Sequence, residues 1–210
     1  MTVQTNQLSA IDIMKQRHSV KSYDASHQMP QEVLEGILTA TTMAPSAWNL
    51  QHWKFLVIQD QAQKEKLLKI AYGQKQTVEA SAVIAVLGDL EANRNAEQIY
   101  SAAVTSGMIT EEIKQTLVSQ INRAYESKET ARDEANRNAS LAAMQLMLAA
   151  KAYGYDTCPM GGFDREQLIE AFNIPTRYMP IMLISVGKAA KPAYPSSRFS
   201  LDQVVVKETF

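Results

Sequence analysis

The stretch from Arg132 to Tyr153 most constrains what this chain can fold into. Its periodicity predicts the longest helix, polar in its first half and, through Leu141, Met144, Leu148 and many alanines, apolar nearly all round in its second. A helix without a polar face must be buried, either in its own core or against another subunit, and the pattern leaves both open. The apolar run Leu141 to Ala150 is interrupted by Gln145 and is too short to cross a bilayer, so no membrane partner is expected. A second run, Ala82 to Leu87, is unbroken and reads as a central strand.

Shorter elements follow from capping and periodicity. Ser9 suits the N-cap of a helix carrying Ile11, Ile13 and Met14. Pro30 suits a first helical position, and Val33, Leu34, Ile37 and Leu38 then form one stripe that should end before Pro45. Phe55 to Ile58 reads as a strand, and Asp60 as the cap of a helix with Leu67, Leu68, Ile70 and Ala71 inward. From Glu91 to Ser127 the pattern is helical but irregular, broken at Gly107, with Thr110 a second cap. Asp164 and Gln167 make a capping-box-like start, Met179 to Val186 a strand, and Val204-Val205-Val206 a strand with no sequential partner. Helices and strands alternate without a strict βαβ rhythm, and no G-x-G-x-x-G follows a strand, so a Rossmann fold is disfavoured.

At 210 residues the chain can hold one fair-sized core, and a single domain over 1–210 is expected. The net charge of -1, with acids and bases interleaved, leaves no basic stripe for nucleic acid or anionic membrane. Cys158, the single cysteine, cannot form an internal disulfide, and Met1 to Asn6 lack a basic-then-apolar leader, so a cytoplasmic location is expected. The sequon Asn138-Ala139-Ser140 is then a chance match. His18, His27 and His52 lack metal-ligand spacing, so no metal is expected, and there is neither a G-x-S-x-G elbow nor a P-loop.

Three short segments remain that carry chemistry. Arg17-His18-Ser19-Val20-Lys21 sets a guanidinium, a hydroxyl and an ammonium beyond a short helix, a set suited to a phosphate and a polar ring edge. Alone it also reads as ordinary cations at a helix C-terminus. Pro45-Ser46-Ala47-Trp48-Asn49-Leu50-Gln51 offers small residues and amides ahead of a strand, or a plain helix stop, with Trp48 read as packing. Cys158-Pro159-Met160-Gly161-Gly162-Phe163 ends in a glycine pair that also reads as a turn, and Cys158 as a small buried hydrophobe.

In this order, and with Arg198 near the C-terminus, these segments resemble the FMN-dependent nitroreductase family over nearly the whole chain, Ile11 to Val206. The resemblance implies an α+β fold with a central mixed sheet wrapped by helices, in an intertwined homodimer that exchanges its C-terminal extensions. It implies that Arg17 and Arg198 hold the FMN phosphate, with His18 and Ser19 beside it, and that Lys21 approaches the pyrimidine edge. Pro45, Ser46, Ala47, Asn49 and Gln51 would come from the other subunit. Gly161 and Gly162, after Pro159, would bring backbone to flavin N5, and Gln74 and Gln76 would add a less secure contact. No side chain is expected to be catalytic in itself, because the flavin carries the hydride chemistry and the protein binds and tunes it.

The chain departs from some relatives in having Gly161 where they carry an acid, Gln76 where they carry a lysine, and Ser196 in place of a second cation. The implied activity is an NAD(P)H-dependent reduction of nitroaromatics or quinones, by ping-pong hydride transfer through flavin N5. The alternatives are a flavin or quinone reductase with incidental nitro activity, or a flavin-binding protein without turnover. Residues 93–127 would form a helical cover over the acceptor site, with Tyr100, Met108 and Tyr125 as lining candidates. The choice between NADH and NADPH and the physiological acceptor stay open.

Overall fold

The computed structural model describes residues 8–210; the stretch read for a leader, Met1 to Asn6, lies outside it. In chain order the elements are α1 (Ala10–Gln16), α2 (Gln31–Thr41), β1 (Trp53–Ile58), α3 (Gln61–Ile70), α4 (Gln76–Glu79), β2 (Ala82–Asp89), α5 (Ala96–Thr105), α6 (Glu111–Ala124), α7 (Lys128–Ala152), β3 (Asp156–Met160), α8 (Arg165–Ala171), β4 (Tyr178–Gly187) and α9 (Leu201–Val204). Four of the helix starts expected from sequence are capped as expected. Ser9, Asp60, Thr110 and Asp164 each accept a backbone N–H from the first turn of their helix.

The strands form one sheet in the order β1-β2-β4-β3. β2 is buried along its whole length, as its unbroken apolar run requires of an inner strand. Successive residues alternate faces. Ile84 and Val86 pack with Ile184 and Val186 against α2 and α7, whereas Val83, Ala85 and Leu87 pack with Leu183 against α3 and α8. The long helix is thus buried in its own core along its alanine row, Ala131, Ala135, Ala139, Ala142 and Ala143. That row lets α7 lie close on the sheet, since a Cβ added at Gly88 would stand 2.9 Å from the Ala135 carbonyl oxygen. The opposite side of α7 leaves Leu141 and Met144 about 40% exposed, beside exposed Met43, Met14 and Ile11.

Several expectations are corrected. All four strands pair antiparallel, and the parallel part of the mixed sheet is confined to an isolated bridge between Ser19 and Thr157. The valine tail is no strand. Ser200 and Gln203 form a capping box that starts α9, and Val205 and Val206 after it pair with no described strand. Pro30 is the residue before α2, its extended ψ placing it outside the first turn. β3 is a strand that the sequence pattern did not announce; Pro159 disguises it, and an edge strand tolerates the missing donor. No helix among the described residues is long and apolar enough to cross a membrane.

Candidate functional site

The 17–21 segment runs along the outer edge of β3. Val20 donates its N–H to the Thr157 carbonyl at 3.0 Å and is buried, which leaves Ser19 and Lys21 facing outward. Tyr23 locks the segment from behind. Its hydroxyl lies 3.0 Å from the Ser185 hydroxyl, and its N–H donates to the Glu79 carboxylate. Burial pushes the Tyr23 phenol far above its usual range, so it stays neutral. Burial also raises the Cys158 thiol, while Lys21 and Arg17 nearby pull it back, which ties both cations to this edge.

Downstream of β3, Gly161 and Gly162 are exposed, and Gln74 donates its side-chain N–H to the Gly162 carbonyl at 2.7 Å. Gln76 in turn donates to Gln74 at 3.1 Å. Behind them Lys64, buried and with its ammonium pKa lowered by that burial, donates to the Val78 and Ala80 carbonyls at the end of α4. One edge of the sheet therefore gathers Arg17, Ser19, Lys21, Gln74, Gln76, Pro159, Gly161 and Gly162.

The glycine pair has no explanation inside this chain. Neither residue has a positive φ. A Cβ at Gly161 would meet no described atom within 4 Å, and one at Gly162 would meet only Gln74 Nε2 at 3.7 Å. Glycine is required here neither by backbone conformation nor by packing. The pair leaves the backbone bare and open on the surface of this edge.

The second group sits elsewhere. Pro45, Ser46, Ala47, Asn49 and Gln51 lie in the loop that enters β1, the opposite edge strand. Three strand spacings, about 14 Å, separate the two edges. Three residues of this loop, Trp48, Asn49 and Gln51, have φ between 51° and 56°. For residues with a Cβ each such conformation costs about 1–3 kcal/mol, asparagine least.

Side chains from the helices offset that strain. Asn138 accepts from Ala47 N–H at 2.8 Å, Tyr100 donates to the Trp48 carbonyl at 3.1 Å, and Asn95 donates to the Leu50 carbonyl at 2.8 Å. Within the loop, Ser46 Oγ accepts from Gln51 N–H at 2.9 Å. At about 0.5–1.5 kcal/mol net for each hydrogen bond, the four nearly balance the strain, so losing one tips the loop. Asn95 is itself held by Arg177, which grips buried Asp89 with two bonds of 2.6–2.7 Å. Asn49, Gln51, Trp53, Asn95, Gln98 and Arg177 line a cleft of about 770 Å³ beside β1.

Beneath the loop, His52 is fully buried, stacks on Tyr125, and has no hydrogen-bond partner at either ring nitrogen among the described residues. Burial pushes its pKa below the ordinary histidine range. Tyr125, expected as a lining residue, instead turns its hydroxyl inward, where it too lacks a partner. Tyr100 is spent on Trp48, and Met108 is exposed. Trp48 packs against Leu50, Ala92, Ala96 and Ile121, as a packing residue would. Arg198 joins neither group; it bonds only Ser196 and Ser197 on the exposed tail. His18 is likewise exposed.

Sequence reasoning missed Asn95, Asn138, Arg177 and Lys64. A detectable signal existed for one of them, since Asn138 interrupts an alanine row and was read as a sequon.

Comparison with known proteins gives one consistent result. The model of the family described as "Nitroreductase family" matches residues 14–188. The Bacillus subtilis protein named "Putative NAD(P)H nitroreductase YodC" is 56% identical over 93% of this chain and 97% of its own length. A crystal structure of a "putative nitroreductase in complex with FMN" from Exiguobacterium sibiricum superposes with a TM-score of 0.90 at 38% identity, covering 99% of this chain and all of that one. The "CLA biosynthesis enone reductase" of Lactiplantibacillus plantarum is 30% identical over 90% of this chain and 89% of its own length.

Proposed function

The chain belongs to the nitroreductase family, and from that premise we propose that it is an NAD(P)H-dependent flavin oxidoreductase carrying FMN. The observation that carries the reading is the bare glycine pair beside Arg17, Ser19 and Lys21. A Cβ at either glycine would have room within the chain, so packing does not require glycine there, and a closely approaching flavin would account for the pair. The donor set suits FMN. Arg17 and Arg198, with His18 and Ser19, supply cations and a hydroxyl for a phosphate, and Lys21 a cation for the pyrimidine edge.

When bound, FMN supplies reversible hydride transfer, first from NADH or NADPH and then to an oxidised nitroaromatic or quinone, in a ping-pong sequence. The protein's part is positional. Gly162, steadied through its carbonyl by Gln74, would offer its N–H to the ring, and Gln76 steadies Gln74. Lys21 places a fixed positive charge where electron density collects. Pro45, Ser46, Ala47, Asn49 and Gln51 close the site from a second copy of the chain. Two observations support that assembly: the two groups lie on opposite edges of one sheet, and Leu201, Val204, Val205, Val206 and Phe210 of the tail are exposed. Exchanged tails would cover those side chains and bring Arg198 to the phosphate. Helices α5 and α6, over residues 93–127, would cover the acceptor site. The enone reductase among the relatives fits a site whose acceptor is set by that cover and not by the glycine edge.

The test is reconstitution with FMN followed by anaerobic NADH or NADPH. The wild type should retain the absorbance of oxidised flavin and bleach. Gly162→Ala, which has room for its methyl, should keep its thermal midpoint yet bleach about 10²-fold more slowly, as expected of displaced reacting groups. A protein that retains no FMN, or a Gly162→Ala variant that bleaches like wild type, sinks the reading.

A further inference from the structure

Asn138 is 2% exposed, halfway along α7, and every polar atom of its side chain is engaged. Its oxygen accepts the Ala47 N–H at 2.8 Å, while its nitrogen donates to the Glu134 carbonyl at 2.7 Å and to the Glu134 carboxylate at 2.8 Å. The polarity is fixed by the partners. Ala47 N–H can only donate, and both Glu134 oxygens can only accept. A side chain that accepts on one side and donates on the other is required, and of the residues of this length only asparagine supplies both.

We propose that Asn138, acting with Glu134, is the positioning residue that sets the flavin-facing loop 46–51. The inference rests on the reading of that loop as a contact to FMN. The bond to Ala47 is the loop's first anchor ahead of the left-handed run Trp48, Asn49 and Gln51. Its loss leaves that end of the strained segment held, among the described residues, by bonds internal to the loop, from the Gln51, Asn49 and Leu50 N–H groups to Ser46 and Ala47. The sequon is then a coincidence of the clamp, and its asparagine is too buried to be modified.

The charged and titratable groups around the clamp are few. Arg137, on α7 itself, pairs with Glu134. His52, ahead of β1, is held neutral by burial; Tyr125, at the end of α6, is held protonated by burial; and Asp89 on β2 is neutralised by Arg177. Glu134 is therefore the one carboxylate that a new acid at 138 would meet directly. Asn138→Asp keeps the acceptor for Ala47 but sets two carboxylates within hydrogen-bond reach. Such a pair shares one proton and titrates above the ordinary carboxylate range. With the proton present the acid keeps the bond from Ala47 and one donation to Glu134; once it leaves, the two acids repel and the loop is released.

The experiment measures FMN affinity from pH 5 to 8.5 for wild type, Asn138→Asp, Asn138→Asp with Glu134→Gln, and Asn138→Leu, each as a ratio to wild type at the same pH. Asn138→Asp should match wild type at the acid end and bind about tenfold more weakly at the alkaline end, about 1.4 kcal/mol. The double variant should be flat, because its new amide at position 134 can donate to its new carboxylate at position 138. Asn138→Leu should be weak throughout. In the apo protein, emission from Trp48 should follow pH in Asn138→Asp and in neither wild type nor the double variant, which reads loop position without the cofactor. Parallel pH profiles for Asn138→Asp and wild type, or wild-type affinity in a folded Asn138→Leu, overturn the proposal while leaving the flavin reading intact. A wild type that does not bind FMN at all overturns both.

Discussion

The two edges of the sheet solve the same problem by different means. At the β3 edge, residues 17–21 are held by main-chain bonds to the strand, as in Val20 to Thr157, and by neutral buried groups such as Tyr23 and Ser185. At the β1 edge, residues 46–51 follow no ladder. They take left-handed conformations and are held by asparagine and tyrosine side chains from distant helices. The first arrangement is fixed by backbone geometry and tolerates side-chain change. The second is nearly balanced between strain and hydrogen bonds, so single side chains decide it. A rigid edge suits a permanent grip on a cofactor, and an adjustable one suits closing over it from a second copy.

The most severe way to break the comparison is to keep both edges and prevent their meeting. Truncation before Ser200 removes exposed Leu201, Val204, Val205, Val206 and Phe210 without touching either edge. If the chain assembles as proposed, we expect loss of that dimer and a drop in FMN affinity of about 10²-fold or more, since several apolar side chains at about 1.5–3 kcal/mol each would lose their cover. Sedimentation and flavin titration check this together. A folded, monomeric, fully loaded truncation would mean that one chain completes the site.

A smaller effect sharpens the roles within the rigid edge. Lys21→Ala should lower the two-electron potential of bound FMN by about 30–60 mV, the equivalent of one charged hydrogen bond. Arg17→Ala should instead weaken FMN binding with little change of potential, because a phosphate keeps its charge when the ring is reduced. Spectroelectrochemical titration of both variants separates the roles, and equal potentials for wild type and Lys21→Ala would leave the lysine a surface cation.

The smallest effect belongs to the soft edge. His52 is buried and neutral, with its folded pKa below the ordinary value near 6.5. The unfolded chain therefore binds a proton that the folded chain refuses. Stability is full above pH 6.5 and falls as the pH drops toward the folded pKa, by at most about 1.4 kcal/mol per pH unit. Between pH 7.5 and 5 the denaturant midpoint of wild type should fall relative to that of His52→Phe, the variant lacking this slope. Parallel curves would show that His52 is hydrated in the folded state.

The same contrast explains what the sequence disclosed. Local signals were legible: the caps at Ser9, Asp60, Thr110 and Asp164, the stripe on α2, the buried β2, and the break at Gly107. The rigid edge was legible as a set of residues, but its pairing was not, because Ser19 meets Thr157 far along the chain and Pro159 hides the strand between them. The soft edge was legible only as a loop. Nothing about tryptophan or glutamine announces a positive φ, and a buried asparagine in a helix looks like a surface residue until its partner is seen. The tail was misread because β propensity yields to local context, and here the Ser200–Gln203 capping box carries Val204 into a short helix.

The burial of Cys158 has a practical consequence. The protein's only thiol is 3% exposed and its ionisation is suppressed by that burial, so it reacts slowly with maleimides at neutral pH. A cysteine introduced at exposed Ser197 would take up a single probe with no background from the native chain. Two batches bearing donor and acceptor dyes, mixed in equal parts, would then report by energy transfer whether two copies come together at their tails.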